Sequence, residues 1–336
     1  MKFEKGMRQL FVLALGAFLM SVVVLSCGGA EETDQTDEYS SDMNLPSFNH
    51  DSAYKYVERQ CSFGPRVPGT YAHQACMEWM VAFFEANGAD TVIVQNGEKT
   101  IYDGTKKPVR NVVAVYERSN ENRVMLCAHW DSRPFSDQEE TDDLRKRAID
   151  GADDGASGVG VLMEIARIMS DKRPPVGVDI ILFDLEDWGA PEWDSRSVGD
   201  NGWCLGSEYW AEHTHFFGYK AQYGILLDMV GGAESRFYRE YFSETNAKWL
   251  NDKVWSTAKN LGLGNRFIDI NGGAITDDHI PVMRYAGIPC IDIVAFNPEG
   301  DQGFPKYWHT QGDNMKIISK STLADVGKLL VAMLYM

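Results

Sequence analysis

The run Ile181-Leu182-Phe183-Asp184-Leu185-Glu186-Asp187-Trp188 constrains this chain more than any other stretch. Its apolar residues read as the end of a buried strand, and two adjacent carboxylates stand where that strand gives out. In open α/β sheets, ligands bind just outside the carboxyl ends of the strands. Two neighbouring acids at such a place can divide labour, one holding a metal and the other moving a proton.

The rest of the pattern supplies a sheet for that strand. Residues 91–95, 110–116, 123–128, 178–185, 223–229 and 289–294 read as strands. Helices are expected over 48–60, 72–87, 159–170, 207–213, 246–261 and 321–334, with another following a loop in 276–285. Strands alternating with helices predict an α/β fold: a single globular domain over 45–336, with a mixed, mostly parallel central sheet flanked by helices. Histidines and acids cluster at the ends of these strands rather than inside the elements, Asp292 within 289–294 excepted. In order they are His129, Asp131, Asp154, Glu186, Asp187, Asp228, Asp277, Asp278, His279, Asp292 and His309.

Each of these residues alone has an ordinary reading as a cap, a solvated loop acid or a satisfied histidine. Asp153 or Asp154, for instance, is placed to cap the helix that follows Gly155. Their convergence on strand ends points instead to a site. Zinc takes His nitrogen and carboxylate oxygen where thiolates are absent, and no CxxC motif occurs here. Asp154, Asp187 and His309 can supply three ligands and leave one position for water or substrate.

The amino terminus has a different character. Lys2, Lys5 and Arg8 precede an uncharged apolar run over 10–25, which is short for a membrane span. That run closes in Val24-Leu25-Ser26-Cys27-Gly28, which resembles a bacterial lipobox. Residues 1–26 are thus expected to be a lipoprotein signal peptide and Cys27 the lipidated residue, with 27–44 an acidic, disordered linker. The expectation is an exported bacterial lipoprotein on the periplasmic side of a membrane or on the cell surface, monomeric and held by its lipid anchor. The formal net charge of −17 argues against nucleic acid as a partner. Beyond Cys27, cysteines stand at 61, 76, 127, 204 and 290, an odd number that leaves at least one free thiol; Cys61 and Cys76 are the nearest pair in sequence.

A family resemblance then becomes visible. His129-x-Asp131, Gly151-Ala152-Asp153-Asp154, Glu186-Asp187, Asp228 and His309 resemble the pattern of the M28 zinc aminopeptidases, with two zincs, a bridging Asp and a catalytic Glu beside a metal carboxylate. Thr276-Asp277-Asp278-His279-Ile280-Pro281, Gly303-Phe304-Pro305-Lys306-Tyr307-Trp308-His309-Thr310, Leu226-Leu227-Asp228-Met229-Val230-Gly231 and Pro65-Arg66-Val67-Pro68-Gly69 narrow it. From about residue 50 onward the chain resembles the glutaminyl-peptide cyclotransferases of the animal and bacterial zinc type.

That resemblance implies one zinc per chain on Asp154, Asp187 and His309, with Glu186 as the general acid and base. It implies that Asp228 and Asp277 hydrogen-bond each other and Glu186, and that Trp193, Trp308 and Phe304 line the substrate pocket. Asp292 stands where animal enzymes carry His and is expected to line the pocket or join the acids. Asp187 and Thr276 replace the Glu and Gln of the animal pattern. The implied reaction turns an N-terminal glutaminyl residue of a peptide or protein into pyroglutamate and releases ammonia. Two alternatives stay open. One is a two-zinc aminopeptidase, with His129 and Asp228 completing a second metal site; the other is a non-catalytic surface binding protein of the same fold. Trp188, Trp203, Trp210, Trp249 and Trp255 are expected to pack the core. His73, His213 and His215 are expected at the surface, and His279 is expected to brace the Asp277–Asp278 turn.

Overall fold

The apolar runs become strands whose side chains sort by a period of two. In this computed structural model the described residues are 45–194, 202–300 and 303–336; the expected signal peptide, Cys27 and the linker lie outside them. Eight strands occur among them: β1 Thr91–Thr100, β2 Lys106–Tyr116, β3 Arg123–His129, β4 Gly177–Phe183, β5 Gly224–Asp228, β6 Phe237–Arg239, β7 Phe267–Asn271 and β8 Cys290–Val294. Six form one sheet in the order β1-β2-β4-β3-β5-β8, and β6 pairs with β7 in a parallel ribbon. β4, β3, β5 and β8 are parallel neighbours, while β2 pairs antiparallel with both β1 and β4. The sheet is therefore mixed and mostly parallel, as expected.

Alternation assigns the two faces. Leu126, Ile180, Ile225 and Ile291 point into one core, and Met125, Cys127, Ile181, Leu226 and Cys290 into the other. Helices cover both sides, which is why these strands carry near-continuous apolar runs. The longer helices are α1 His50–Cys61, α2 Tyr71–Ala86, α3 Ala156–Asp171, α4 Leu205–Glu212, α5 Tyr241–Asn260 and α6 Lys320–Tyr335. α1, α3 and α6 pack together over the first face; α4 and the π-turn Val282–Ala286 cover the second. No helix among the described residues is long and apolar enough to cross a membrane.

Local chemistry explains where elements begin. Asn49 accepts from the amides of Asp51 and Ser52 and so caps α1, and Thr70 and Ser319 cap α2 and α6 in the same way. α5 starts five residues before the expected 246. Glu240, outside the preferred capping residues, caps it by accepting from Phe242 and Ser243, and a break at Ala247 (φ −136°, ψ 38°) hides the first turns from a periodicity reading. β1 and β2 run beyond their apolar stretches as a half-exposed hairpin, closed by a Glu98–Lys106 pair at 2.7 Å.

The structure corrects several surface and core expectations. His73 is fully buried, 2.8 Å from Asp184 and stacked on Trp130 at 4.2 Å. The His215 ring is buried too and accepts from Trp210 Nε1 at 3.2 Å. His213 is exposed as expected, but Trp249 is half exposed and does not pack the core. Cys61 and Cys76 are unpaired, as are Cys127, Cys204 and Cys290. Sequence proximity does not measure the distance between two thiols.

One buried ion pair closes the amino-terminal ends of β3 and β4. Arg123 Nε and Nη2 grip Asp179 at 2.8 and 2.7 Å, and Tyr219 donates to the same carboxylate at 2.7 Å. Burial alone would raise Asp179; its His215, Arg123 and Tyr219 neighbours more than offset that and hold the carboxyl below its usual range. Removing one partner leaves an uncompensated buried charge, so Arg123→Met should cost about 3–5 kcal/mol in urea denaturation. Adding Asp179→Leu should recover much of the loss; a single variant as stable as wild type would show that the pair contributes nothing.

Candidate active site

The two acids of the opening stretch owe their positions to the backbone just before them. After β4 ends at Phe183, Leu185 adopts φ 53°, a left-handed conformation unfavourable for a residue with a Cβ. The surroundings over-determine it. Asp184 Oδ1 accepts from the Leu185 amide at 2.8 Å and Oδ2 from the Arg110 amide at 2.7 Å, while Asn111 Oδ1 takes the Asp184 amide at 2.9 Å. One turn later, Asp131 spans both neighbours, its oxygens accepting from the amides of Glu186 at 3.2 Å and Asp187 at 3.3 Å. Asp131, read from sequence as a candidate, thus holds the backbone of the pair.

Strand ends deliver the remaining groups. His129 is the last residue of β3 and Asp228 the last of β5. Asp154 precedes α3, whose cap is Gly155 (φ 95°) rather than an aspartate. A Cβ on Gly155 would lie 2.6 Å from the Asp131 carbonyl, so only glycine fits there. Asp153 turns the other way and accepts from the amides of Gly231 and Gly232 and from Tyr307. Neither aspartate caps the helix, which corrects that sequence reading.

Asp154 sits between two groups of donors. Its Oδ1 lies 3.0 Å from His129 Nε2, which also lies 3.2 Å from Asp228 Oδ1. Its Oδ2 lies 3.6 Å from His309 Nε2, which is 3.4 Å from Asp187 Oδ1. Each group could hold a metal ion. With metal–ligand bonds of 2.0–2.2 Å, neighbouring donors in a tetrahedron stand roughly 3.4 Å apart. The Asp154–Asp187–His309 group has that spacing, and Asp187 Oδ2 is buried there without a hydrogen-bond partner. The His129 group is slightly tighter, at 3.0 and 3.2 Å.

His309 is held in an unusual way. Its backbone is left-handed (φ 54°), and its ring is stacked between Trp308 at 3.6 Å and Trp203 at 5.9 Å. Nδ1 faces Asp137 at 3.3 Å, the carboxylate orientation that commonly sets a ligating imidazole. Arg133 is fully buried behind this set; it grips Asp137 at 2.7 and 2.6 Å and reaches Asp187 at 3.2 Å. Asp313 accepts from the amides of Asp153 at 2.8 Å and Asp154 at 3.1 Å. Arg66 donates to the carbonyls of Trp130, Asp150 and Gly151. Sequence reasoning missed Arg133, Asp137 and Asp313, because a charged residue in a polar loop carries no sign of being buried.

Glu186 stands apart from both groups, beside Asp277 and Cys204. Burial pushes its carboxyl well up; His129 opposes this, and the nearby charges of Asp187, Asp277 and Asp278 add to it. Burial also pushes Asp228 up to about 6 and Asp277 up to about 7, the latter with help from Asp228. Asp228 is bonded to His129 at 3.2 Å, and Asp277 Oδ1 accepts from the Asp278 amide at 2.5 Å. Asp292 is fully buried within β8, its two oxygens without hydrogen-bond partners and 3.9 Å from His279 Nδ1. His279 does not brace its own turn; Nε2 meets Glu240 at 3.1 Å and so ties that turn to the start of α5.

A cavity of about 500 Å³ is lined by Trp203, Ile275, Thr276, Phe296, Phe304 and Trp308 among others; its wall includes the sequence neighbours of Asp277 and His309 but none of the candidate acids. Phe304 and Trp308 stack at 4.4 Å in its wall. Trp203, expected in the core, is in that wall too, because it covers His309. Trp193 lies outside the lining, 44% exposed and edge-on to Phe135 at 5.6 Å. A larger cavity of about 850 Å³, with Arg236, Lys306 and Tyr307 in its walls, lies beyond Phe296–Pro298 and contains none of the candidate acids.

Comparison with known proteins follows the same lines. Residues 111–334 match the model of peptidase family M28. The chain is 25% identical over 246 residues to the glutaminyl-peptide cyclotransferase of Bos taurus, covering 66% of this chain and 64% of that protein's length. Among solved structures, a glutaminyl cyclase from Bacteroides thetaiotaomicron bound to N-acetylhistamine is 46% identical, with 87% of this chain and 99% of that one covered at a TM-score of 0.84. A Zn-dependent exopeptidase from Parabacteroides distasonis is 47% identical with the same coverage and a TM-score of 0.85.

The strained turn yields a direct test. Gly206 in α4 packs so closely that a Cβ would stand 1.8 Å from the Asp184 carbonyl oxygen. Gly206→Ala should therefore cost about 1–3 kcal/mol of stability and weaken retention of a bound metal, read by thermal melting and metal analysis. Unchanged values for both would show that the turn is not set by this contact.

Proposed function

The chain belongs to peptidase family M28, and on that footing we propose that it is a zinc-dependent glutaminyl cyclase, acting on peptides and proteins that begin with Gln. One observation carries the reading: Asp154, Asp187 and His309 converge on a buried, unpartnered Asp187 Oδ2, and Glu186 stands beside them in neither candidate metal group that contains Asp154. One zinc per chain on that group is part of the proposal; a second ion on His129, Asp154 and Asp228 would belong to the aminopeptidase alternative. The larger share of buried wall in the 500 Å³ cavity is aromatic or aliphatic, which suits a flat amide better than a water-filled cleft.

Asp154, Asp187 and His309 would hold the zinc, which when bound supplies Lewis acidity toward the γ-carbonyl oxygen. The nucleophile needs no activation of water. The substrate's own α-amino nitrogen attacks its γ-amide carbon, closing a five-membered ring, so the reacting groups are already tethered. Glu186 takes the proton that the amine must lose and returns it to the departing nitrogen, which leaves as ammonia. Burial raises the Glu186 carboxyl, the direction that makes it hold the transferred proton more readily. Asp277 titrates near neutrality and, within the same cluster, can stabilise Glu186 by sharing a proton. Asp228 orients His129, and Asp292 with His279 forms the buried floor of the acidic network. Trp308, Phe304 and Trp203 exclude water and so favour ring closure over hydrolysis.

The key experiment is an ammonia-release assay on a Gln-initiated peptide, run with metal analysis. Glu186→Gln should lower kcat by about 10²–10⁴-fold while its zinc content stays at one per chain, and a chelator should abolish wild-type activity until zinc is restored. Full activity of the variant would remove Glu186 as the base. Two zincs per chain with release of N-terminal amino acids would make it an aminopeptidase, and neither zinc nor turnover would leave a binding protein.

The same proposal extends to the residues before 45. Residues 1–26 would be a cleaved leader, Cys27 the acylated residue and 27–44 a tether, with the catalytic domain over 45–336 a monomer on the outer side of a membrane. Cys27→Ser should move the expressed protein from the detergent phase to the aqueous phase in a phase-partition assay. Equal partitioning of both forms would rule out the lipid anchor.

A further inference from the structure

Glu186 has a neighbour that the proposed reaction does not use. Cys204 precedes α4 in the left-handed region (φ 55°), and its amide donates to the Glu186 carbonyl at 2.9 Å. Its thiol turns to the same residue and donates to Glu186 Oε1 at 3.3 Å. Asp277 completes a group of three buried residues whose candidate ligand atoms all lie within 4.8 Å of one another. One oxygen of Asp277 accepts from the Asp278 amide, while the other is buried with no partner.

We propose that Glu186, Cys204 and Asp277 form an inhibitory site for a thiophilic divalent cation, zinc in excess or cadmium, separate from the Asp154–Asp187–His309 group. The donor set fits that class. A thiolate is a soft ligand that selects such ions, and two carboxylate oxygens complete a three-ligand set. With bonds of about 2.3 Å to sulfur and 2.0–2.2 Å to oxygen, tetrahedral neighbours stand roughly 3.5 Å apart. The present S···O distance of 3.3 Å therefore needs little movement. Binding releases to the buffer both the thiol proton and the proton shared by Glu186 and Asp277, and the cation's charge offsets the thiolate and the two crowded carboxylates. Once Glu186 is a ligand it no longer accepts the amine proton; this consequence rests on its role as the base, whereas occupancy of the site does not.

The test separates the two. Zinc-loaded enzyme is titrated with cadmium while the cadmium–thiolate charge-transfer absorption, zinc content and ammonia release are followed. The Asp154–Asp187–His309 group contains no sulfur, so cadmium there gives no such band. Wild type should show the band and at least about tenfold inhibition at the same cadmium concentrations, with its zinc retained. Cys204→Ala and Cys204→Ser, each read against its own cadmium-free rate, should lose the band and require at least tenfold more cadmium for equal inhibition. Serine keeps a hydroxyl donor beside Glu186, so agreement of the two variants excludes a packing effect. No band in wild type, a band persisting in both variants, or loss of zinc in step with activity would overturn the proposal. The band with no activity on any Gln peptide would uphold the metal site and reject the cyclase reading.

Discussion

Everything at the carboxyl edge of the sheet depends on the turn from Asp184 to Asp187. A strand leaving the sheet in ordinary extended geometry would send alternate side chains to opposite faces. The left-handed residue at Leu185 breaks that alternation and sets Glu186 and Asp187 at the strand mouth. The conformation is unfavourable in itself and persists because buried groups hold each amide around it: Asp184 takes that of Leu185, and Asp131 takes those of Glu186 and Asp187. His73, buried against Asp184, belongs to the same support. The division of labour between the two acids begins in this backbone and only then passes to their side chains.

A second constraint is charge. Asp131, Asp153, Asp154, Asp187, Asp277, Asp278, Asp292 and Asp313 are nearly or fully buried. Buried carboxylates must be paired, hydrogen-bonded or protonated. Asp153 and Asp313 are satisfied by backbone amides, and Asp137 by the Arg133 fork. Asp228 and Asp277 move toward the neutral range. The oxygens left over, on Asp187, Asp277, Asp278 and Asp292, are buried without hydrogen-bond partners. Some of them face the donor groups suited to a cation, which ties the electrostatics of the fold to the proposed chemistry.

Much of this was legible in the residues. The strand-end acids and histidines appeared as candidates because strands and polar loops have different periodicities, and the sheet follows from their alternation with helices. Asp154, Asp187 and His309 do converge, as do Glu186 and Asp277. Legibility failed where a residue's role depends on what folds back over it. Trp193 and Trp203 stand close in sequence, yet Trp203 covers His309 and Trp193 packs outside on Phe135. Asp313 and Arg133 look like solvated loop charges until the loops close over them. The start of α5 was invisible because its break at Ala247 interrupts the helical period.

The sequence by itself determined the sheet, its covered faces and the chemical types gathered at its edge, because these follow from local pattern: period, caps and the residues at strand ends. It did not determine the distances on which the site turns. Whether Asp154 reaches two histidines, whether His129 closes onto its acids, and whether a thiol at 204 meets the carboxylate at 186 are separations between residues far apart in the chain. Only packing of the whole fold fixes those separations, to within the few tenths of an ångström that distinguish a hydrogen bond from a place for a metal. The opening pair is the plainest case: sequence placed Glu186 beside Asp187, and the tertiary structure gave each its own set of partners.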